Sequence, residues 1–323
     1  MTSTMEQLTK NIYQMTVPTP FLVGPVNTYL IEGDALTLVD TGPKTEEAYD
    51  VLKGHLKEKK LQFEDIEVVI LTHHHPDHIG LLEEFLPNAK VYAHPKVKPW
   101  ISKERDFFNT LHSFYQALYT SHGVPADLVK AIEKRKRGYL NFSANGYVDK
   151  ELKEGDMIEG LPDWTVLETP GHAQSHISLY RELDGVMLAG DHLIEHISSN
   201  AIIEGPYPGE KDRPKTLLQY RDSLKKCLMA KVAYAGHGVA ITDPKSLIDS
   251  RLRDQDRKAV QFKELMRDEI VTCFELCKRK YGHIYQQQPD LTFSETLGHL
   301  DLLESRGEIK QLEQDRIVKY KVI

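Results

Sequence analysis

The chain has 323 residues, 40 % hydrophobic and 28 % charged, with a formal net charge of −7; this is an ordinary globular composition with room for one large core and a smaller domain. The acidic balance gives no global attraction for nucleic acid, and no apolar run is long enough to span a membrane. The polar first residues predict no secretory signal, and the three cysteines (Cys227, Cys273, Cys277) are too few for a disulfide framework, so a cytoplasmic location is expected.

Residues 21–31 and 36–39 read as a β-hairpin around Glu32-Gly33-Asp34. It ends in Asp40-Thr41-Gly42, a carboxylate at a strand end. Residues 45–59 are helix-like, with Ala48, Val51, Leu52 and Leu56 apolar on one side. The run 68–71, short and rich in β-branched residues, predicts a buried strand. Directly after it comes Thr72-His73-His74-His75-Pro76-Asp77-His78-Ile79-Gly80. In an extended segment alternate side chains share a face, which groups His73, His75 and Asp77, with His78 turned to the side. Imidazole and carboxylate are ligands for zinc, iron and manganese, and this crowding suits two adjacent metals better than one. A helix over 81–86 and a strand over 90–93 are expected next.

Residues 95–150 differ in character. Phe107, Phe108, Leu111, Phe114, Tyr115, Leu118 and Tyr119 recur at helical spacing. Such a face either packs on the main core or forms a lid, with Phe108 and Tyr115 lining the mouth of the site. A second helix, 126–137, ends in the charge run Lys134-Arg135-Lys136-Arg137, read as a solvated helix end. Strands resume at 164–168, followed by Thr169-Pro170-Gly171-His172 and Ser175-His176. A hairpin over 177–189 ends in Gly190-Asp191-His192. Tyr207, in the next loop, reads as a surface tyrosine or as an oxyanion donor. A helix over 216–229 and a strand over 232–235 lead to Gly236-His237-Gly238. Strands separated by helices indicate a layered α/β architecture. From about 243 long helices dominate: continuous periodicity over 246–280, a break at Pro289, an amphipathic helix over 294–306 and a terminal hairpin.

The order His-x-His-x-Asp-His over His73–His78 resembles the signature of the metallo-β-lactamase superfamily. Asp40, His172, Asp191 and His237, each at a strand end, fall in the order that family requires, over roughly residues 20–240. The resemblance implies an αββα sandwich, here with a helical insertion (about 95–150) in a catalytic domain of residues 1–245. Residues 246–323 resemble a winged helix. It further implies two divalent metal ions, zinc first, with iron or manganese as alternatives. His73, His75 and His172 would bind one metal. Asp77, His78 and His237 would bind the other, and Asp191 would bridge them. Asp40 would orient a ligand, and Asp77 and Asp191 would also relay protons. The implied chemistry is attack by a metal-bridging hydroxide, with no Ser or Cys nucleophile.

An aromatic lid favours a small-molecule acyl substrate, an ester, lactone or thioester, over a polyanion. A β-lactamase-like endoribonuclease or phosphodiesterase is the alternative, since such enzymes also carry a C-terminal winged helix; the acidic chain and near-neutral tail oppose it. A one-metal persulfide dioxygenase is opposed by the intact second ligand set. A metal-binding regulatory protein without catalysis would have lost a ligand, and none is missing. The C-terminal helices are expected to support packing or a homodimer.

Overall fold

The computed structural model describes residues 5–323. Seven strands lie side by side in chain order in the first sheet: β1 (Met5–Thr9), β2 (Ile12–Val17), β3 (Val26–Glu32), β4 (Leu36–Val39), β5 (Val68–Leu71), β6 (Lys90–Ala93) and β7 (Lys150–Glu151). β1 to β4 pair antiparallel and β4 to β7 parallel. The second sheet contains β8 (Met157–Ile158), β9 (Leu161–Glu168), β10 (Ile177–Arg181), β11 (Val186–Gly190) and β12 (Val232–Ala235), with only β11 and β12 parallel.

One core cluster joins Tyr29, Ile31, Ile70 and Tyr92 of the first sheet to Trp164, Val166, Ile177 and Leu179 of the second, so the sheets pack face to face. The outer face of the first sheet is covered by the helix Glu46–Glu58, started by Thr45, whose side chain accepts from the Ala48 N–H. The outer face of the second is covered by the helix Thr216–Lys226 and the helices beyond it. Both faces of each sheet are therefore buried, which is why Val68–Leu71 reads as an unbroken apolar run.

Several local expectations are corrected. Strands β1 and β2 were not anticipated, although Tyr13, Met15 and Val17 alternate with Gln14 and Thr16 and bury the apolar set. The helix over 81–86 is instead one helical turn, Pro76–Ile79, and a 3-10 turn, Leu82–Phe85. The helix over 246–280 is broken: Pro244–Met266 ends at Arg267, at φ 52°, and β13 (Val271–Thr272) intervenes before the helix Cys273–Tyr281. Thr272 and Glu275 form a capping box that starts the new helix. Pro289 opens the helix Pro289–Ser305 rather than breaking one, because the first helical position needs no N–H. β14 (Ile309–Gln314) and β15 (Ile317–Val322) complete a three-stranded sheet in the order β13-β15-β14.

The helices Arg105–Ser121 and Ala126–Tyr139 lie in the connection between β6 and β7. They bury Phe107, Leu111, Tyr115, Leu118 and Tyr119 in the same cluster as Phe262, Phe293, Leu297 and Tyr320 of the C-terminal segment. Tyr119 meets Phe293 edge-on at 4.9 Å. Each such buried ring contributes about 1.5–3 kcal/mol of apolar transfer. Among the described residues, no helix is long and apolar enough to cross a membrane.

Candidate metal centre

The ends of five strands supply the polar cluster: β4 delivers Asp40, β5 His73, β9 His172, β11 Asp191 and β12 His237. The histidine loop is extended only as far as His75. His75 caps the short helix that Pro76 opens, and this turn swings Asp77 and His78 inward, where both are buried. The strict alternation expected for Asp77 is thus replaced by a helical turn that achieves the same convergence.

Four of the five imidazoles are fixed from behind. His78 Nδ1 lies 2.7 Å from Asp40 Oδ2, His237 Nδ1 2.8 Å from the Pro25 carbonyl and His172 Nδ1 3.0 Å from the Asn200 carbonyl. Asp40 also accepts the Thr72 hydroxyl at 2.7 Å, which leaves that oxygen free to accept from His73 Nδ1 at 3.0 Å. All four rings then turn Nε2 inward, the atom that binds a metal in the neutral tautomer with Nδ1 as donor. Asp40 sits at φ 62°, in the left-handed region, and is held there by the Thr72 N–H at 2.8 Å.

The inward atoms converge. His73 Nε2 and His172 Nε2 each lie 2.9 Å from His75 Nδ1. His237 Nε2 is 3.3 Å from Asp77 Oδ2, and Asp191 reaches His78 at 3.4 Å, His237 at 3.5 Å and His172 at 3.6 Å. Three overlapping groups can each hold an ion: His73, His75 and His172; His73, His78 and Asp191; Asp77, His78 and His237. His78 Nε2, Asp191 Oδ1 and His237 Nε2 are buried without a hydrogen-bond partner. Unpaired buried polar atoms are costly, and a shared cation would satisfy all three. The donor set therefore fits divalent metal.

Electrostatics divide the cluster. Burial, then the neighbouring imidazoles, pushes His73 and His75 well below the ordinary histidine range, so both are neutral donors. Burial opposes the charged form of His237 too, but Asp191 and Asp77 override it and push it up to about 10. Burial likewise disfavours an ionised Asp191, yet His237 and His78 hold it well below the usual carboxylate range.

Around the ligands lie residues that match no ligand position of the motif, His74 and His176 among them, both expected to support the site or simply pack. The His74 ring stacks on Trp100 at 3.9 Å, and its Nδ1 is 2.8 Å from Ser175 Oγ. His176 Nε2 accepts the Asp191 N–H at 3.0 Å. Gly236 is required by space: a Cβ there would stand 2.2 Å from Asp191 Oδ1. Tyr207 is not on the surface; it is buried, its hydroxyl accepts from Trp100 Nε1 and donates to Glu204, both at 2.8 Å, and is unavailable to an oxyanion. Phe108 is half-buried against Trp100, with rings 5.5 Å apart, whereas Tyr115 is buried and donates to the Ile203 carbonyl. Trp100 and Glu204 had no flag in the sequence, since neither adjoins a motif.

Two face-packed sheets whose strand ends gather a buried His/Asp cluster define a class, the metal-dependent hydrolases built on a metal-binding sheet edge. The chain belongs to the metallo-β-lactamase superfamily, whose family profile matches residues 22–237. It is 40 % identical to the probable metallo-hydrolase YqjP of Bacillus subtilis (strain 168) over 98 % of this chain and 99 % of that one. It is also similar to the crystal structure of the metallo-β-lactamase family protein TTHA1429 from Thermus thermophilus, with TM-score 0.78 and 30 % identity over 98 % of this chain and 100 % of that one. A hydroxyacylglutathione hydrolase of Hahella chejuensis is a more distant relative, 27 % identical over 66 % of this chain and 60 % of that one.

Proposed function

We propose that the enzyme is a dinuclear metal-dependent hydrolase of a small ester, lactone or thioester. His73, His75 and His172 would hold one metal, Asp77, His78 and His237 the other, with Asp191 shared between them. The observation that carries this reading is the convergence of ligand atoms around Asp191, with four of the five imidazoles held at the ring atom turned away from it. An all-nitrogen-and-oxygen donor set suits zinc, with iron or manganese as alternatives. When bound, the metals supply an acidified water as nucleophile and polarise the carbonyl oxygen under attack.

The chain's own residues do the rest. Asp40 and the Asn200 carbonyl orient His78 and His172, and Asp77 and Asp191 are the carboxylates placed to relay a proton. Trp100, Phe107, Phe108 and the ring of Tyr207 pack into an aromatic cluster beside His74, a surface that favours an acyl group over a polyanion. A relative whose name denotes hydrolysis of an acylated glutathione supports the acyl class. We further infer that residues 1–245 are the catalytic domain and that 246–323, with their helices and three-stranded sheet, form a winged-helix-like domain that serves packing.

The test is metal analysis together with an ester, lactone, thioester and phosphodiester panel. Close to two equivalents of metal and turnover of an acyl substrate are expected. Full activity with one equivalent, or cleavage of the phosphodiester alone, overturns the reading.

A further inference from the structure

Lys136, on the helix Ala126–Tyr139, is a cation held over an aromatic ring rather than by an ion-pair partner. Its Nζ lies 3.7 Å from the centroid of the Tyr115 ring. Among the described residues no carboxylate stands within ion-pair distance of it. Its neighbours in the charge run have other fates: Arg135 donates to the Tyr139 hydroxyl and the Gln287 carbonyl, while Lys134 and Arg137 are exposed. Lys136 itself is half-buried, and burial, the largest cause, pushes its pKa down, so its ammonium is partly desolvated. An ammonium kept so without a counter-ion costs stability, and a visiting anion would offset that cost.

Its position ties it to the metal edge. The ring beneath it, Tyr115, is anchored at 3.0 Å to the Ile203 carbonyl, on the loop whose Asn200 carbonyl holds His172. The acids that face Lys136, Asp290 and Glu204, act at a distance. Glu204 is already taken by the Gln174 N–H at 2.7 Å and the Tyr207 hydroxyl at 2.8 Å, and burial pushes it up to about 7, so it is a poor counter-ion near neutral pH.

We propose that Lys136 is a specificity-determining residue that binds a carboxylate carried by the substrate, at a distance from the bond that is cleaved. One cation without an ion-pair partner matches one negative charge, which points to a carboxylate rather than a polyphosphate. The word substrate rests on the hydrolase reading above; the anion site does not.

The test is calorimetric binding of succinate, glutarate and adipate, with pentanoate as the single-carboxylate control, to metal-loaded wild-type, Lys136→Met and Lys136→Arg proteins. Met keeps the apolar stem over Tyr115, and unchanged metal content shows that each variant is folded. At least one dicarboxylate is expected to bind wild type roughly 10-fold tighter than pentanoate; Lys136→Met loses that preference and Lys136→Arg keeps most of it. No preference in wild type, or an undiminished one in Lys136→Met, overturns the proposal. Hydrolysis of phenyl acetate and monophenyl glutarate separates the two readings. KM for the charged ester should rise about 10-fold in Lys136→Met while that for the neutral ester stays. Turnover of neither ester, with Lys136-dependent dicarboxylate binding intact, sinks the acyl-hydrolase reading and leaves the anion site. Turnover of both with an unchanged KM ratio sinks the anion site and leaves the hydrolase.

Discussion

The metal edge and the insertion–tail junction are built on opposite principles. At the edge, specificity comes from polar atoms held at both ends: His78 between Asp40 and Asp191, His172 between Asn200 and His75. At the junction, specificity comes from shape: rings of the insertion fill spaces between C-terminal helices, as Tyr119 does against Phe293. A polar error at the edge should therefore remove metal and leave the fold. An apolar error at the junction should cost stability and leave the metal stoichiometry of the folded protein. If either change produced the other's phenotype, the contrast would fail.

The largest expected effect is at the shared ligand. Asp191→Ala should lower turnover by on the order of 10³-fold and reduce metal content, with the far-ultraviolet circular dichroism unchanged. An undiminished rate would sink the two-metal mechanism. Next is the group behind a ligand. Asp40→Asn keeps the shape but weakens the acceptor for His78 and Thr72, so metal affinity should fall by roughly 10- to 100-fold. Competition with a chelator measures it, and equal half-saturation in the two proteins would show that Asp40 only serves the backbone at its positive φ.

How much of this was legible in the sequence follows the same divide. His73 to His78 announce a metal because chemistry-bearing residues crowd into one loop, and Asp40, His172, Asp191 and His237 are marked by their places at strand ends. The sandwich was readable from apolar runs buried on both sides. Trp100 and Glu204 were not readable, because what gives them meaning is a contact with His74 or Tyr207 across the fold. Tyr207 departs from its surface reading for the same reason: a tyrosine in a loop carries no local sign of burial. The break at 267–272 was legible in principle, since Thr272-Cys273-Phe274-Glu275 contains a capping box, but charged helical periodicity on either side masked it.

At the junction, Tyr119→Ala removes a fully buried ring from between the insertion and the helix Pro289–Ser305. A loss of about 3–5 kcal/mol is expected, seen as a lower denaturation midpoint, while the metal per folded protein stays the same. Loss of metal with an unchanged midpoint would mean that the insertion shapes the site directly and that the junction is no separate region.

The smallest effect, and the most selective, is the pH response of His122, which ties the two sides of the junction together. Its Nδ1 donates to the Leu118 carbonyl at 2.9 Å, and its Nε2 lies 3.2 Å from the Tyr320 hydroxyl, 198 residues away in sequence. Burial pushes its pKa down to about 4, while an unfolded histidine titrates near ~6.5. The fold thus disfavours the protonated ring, and below about pH 6.5 the unfolded chain binds the extra proton. The stability that depends on a neutral His122 is fully present above that pH and declines as pH falls toward 4, by at most about 1.4 kcal/mol per unit. His122→Gln retains one donor and one acceptor but cannot titrate. Denaturant unfolding at pH 7.5, 6.5, 5.5 and 4.5 should show wild type losing stability faster than the variant across the acid range, with the two slopes parallel above 6.5. Parallel curves throughout would show that the ring does not titrate in this range, and the junction would then be held by shape alone.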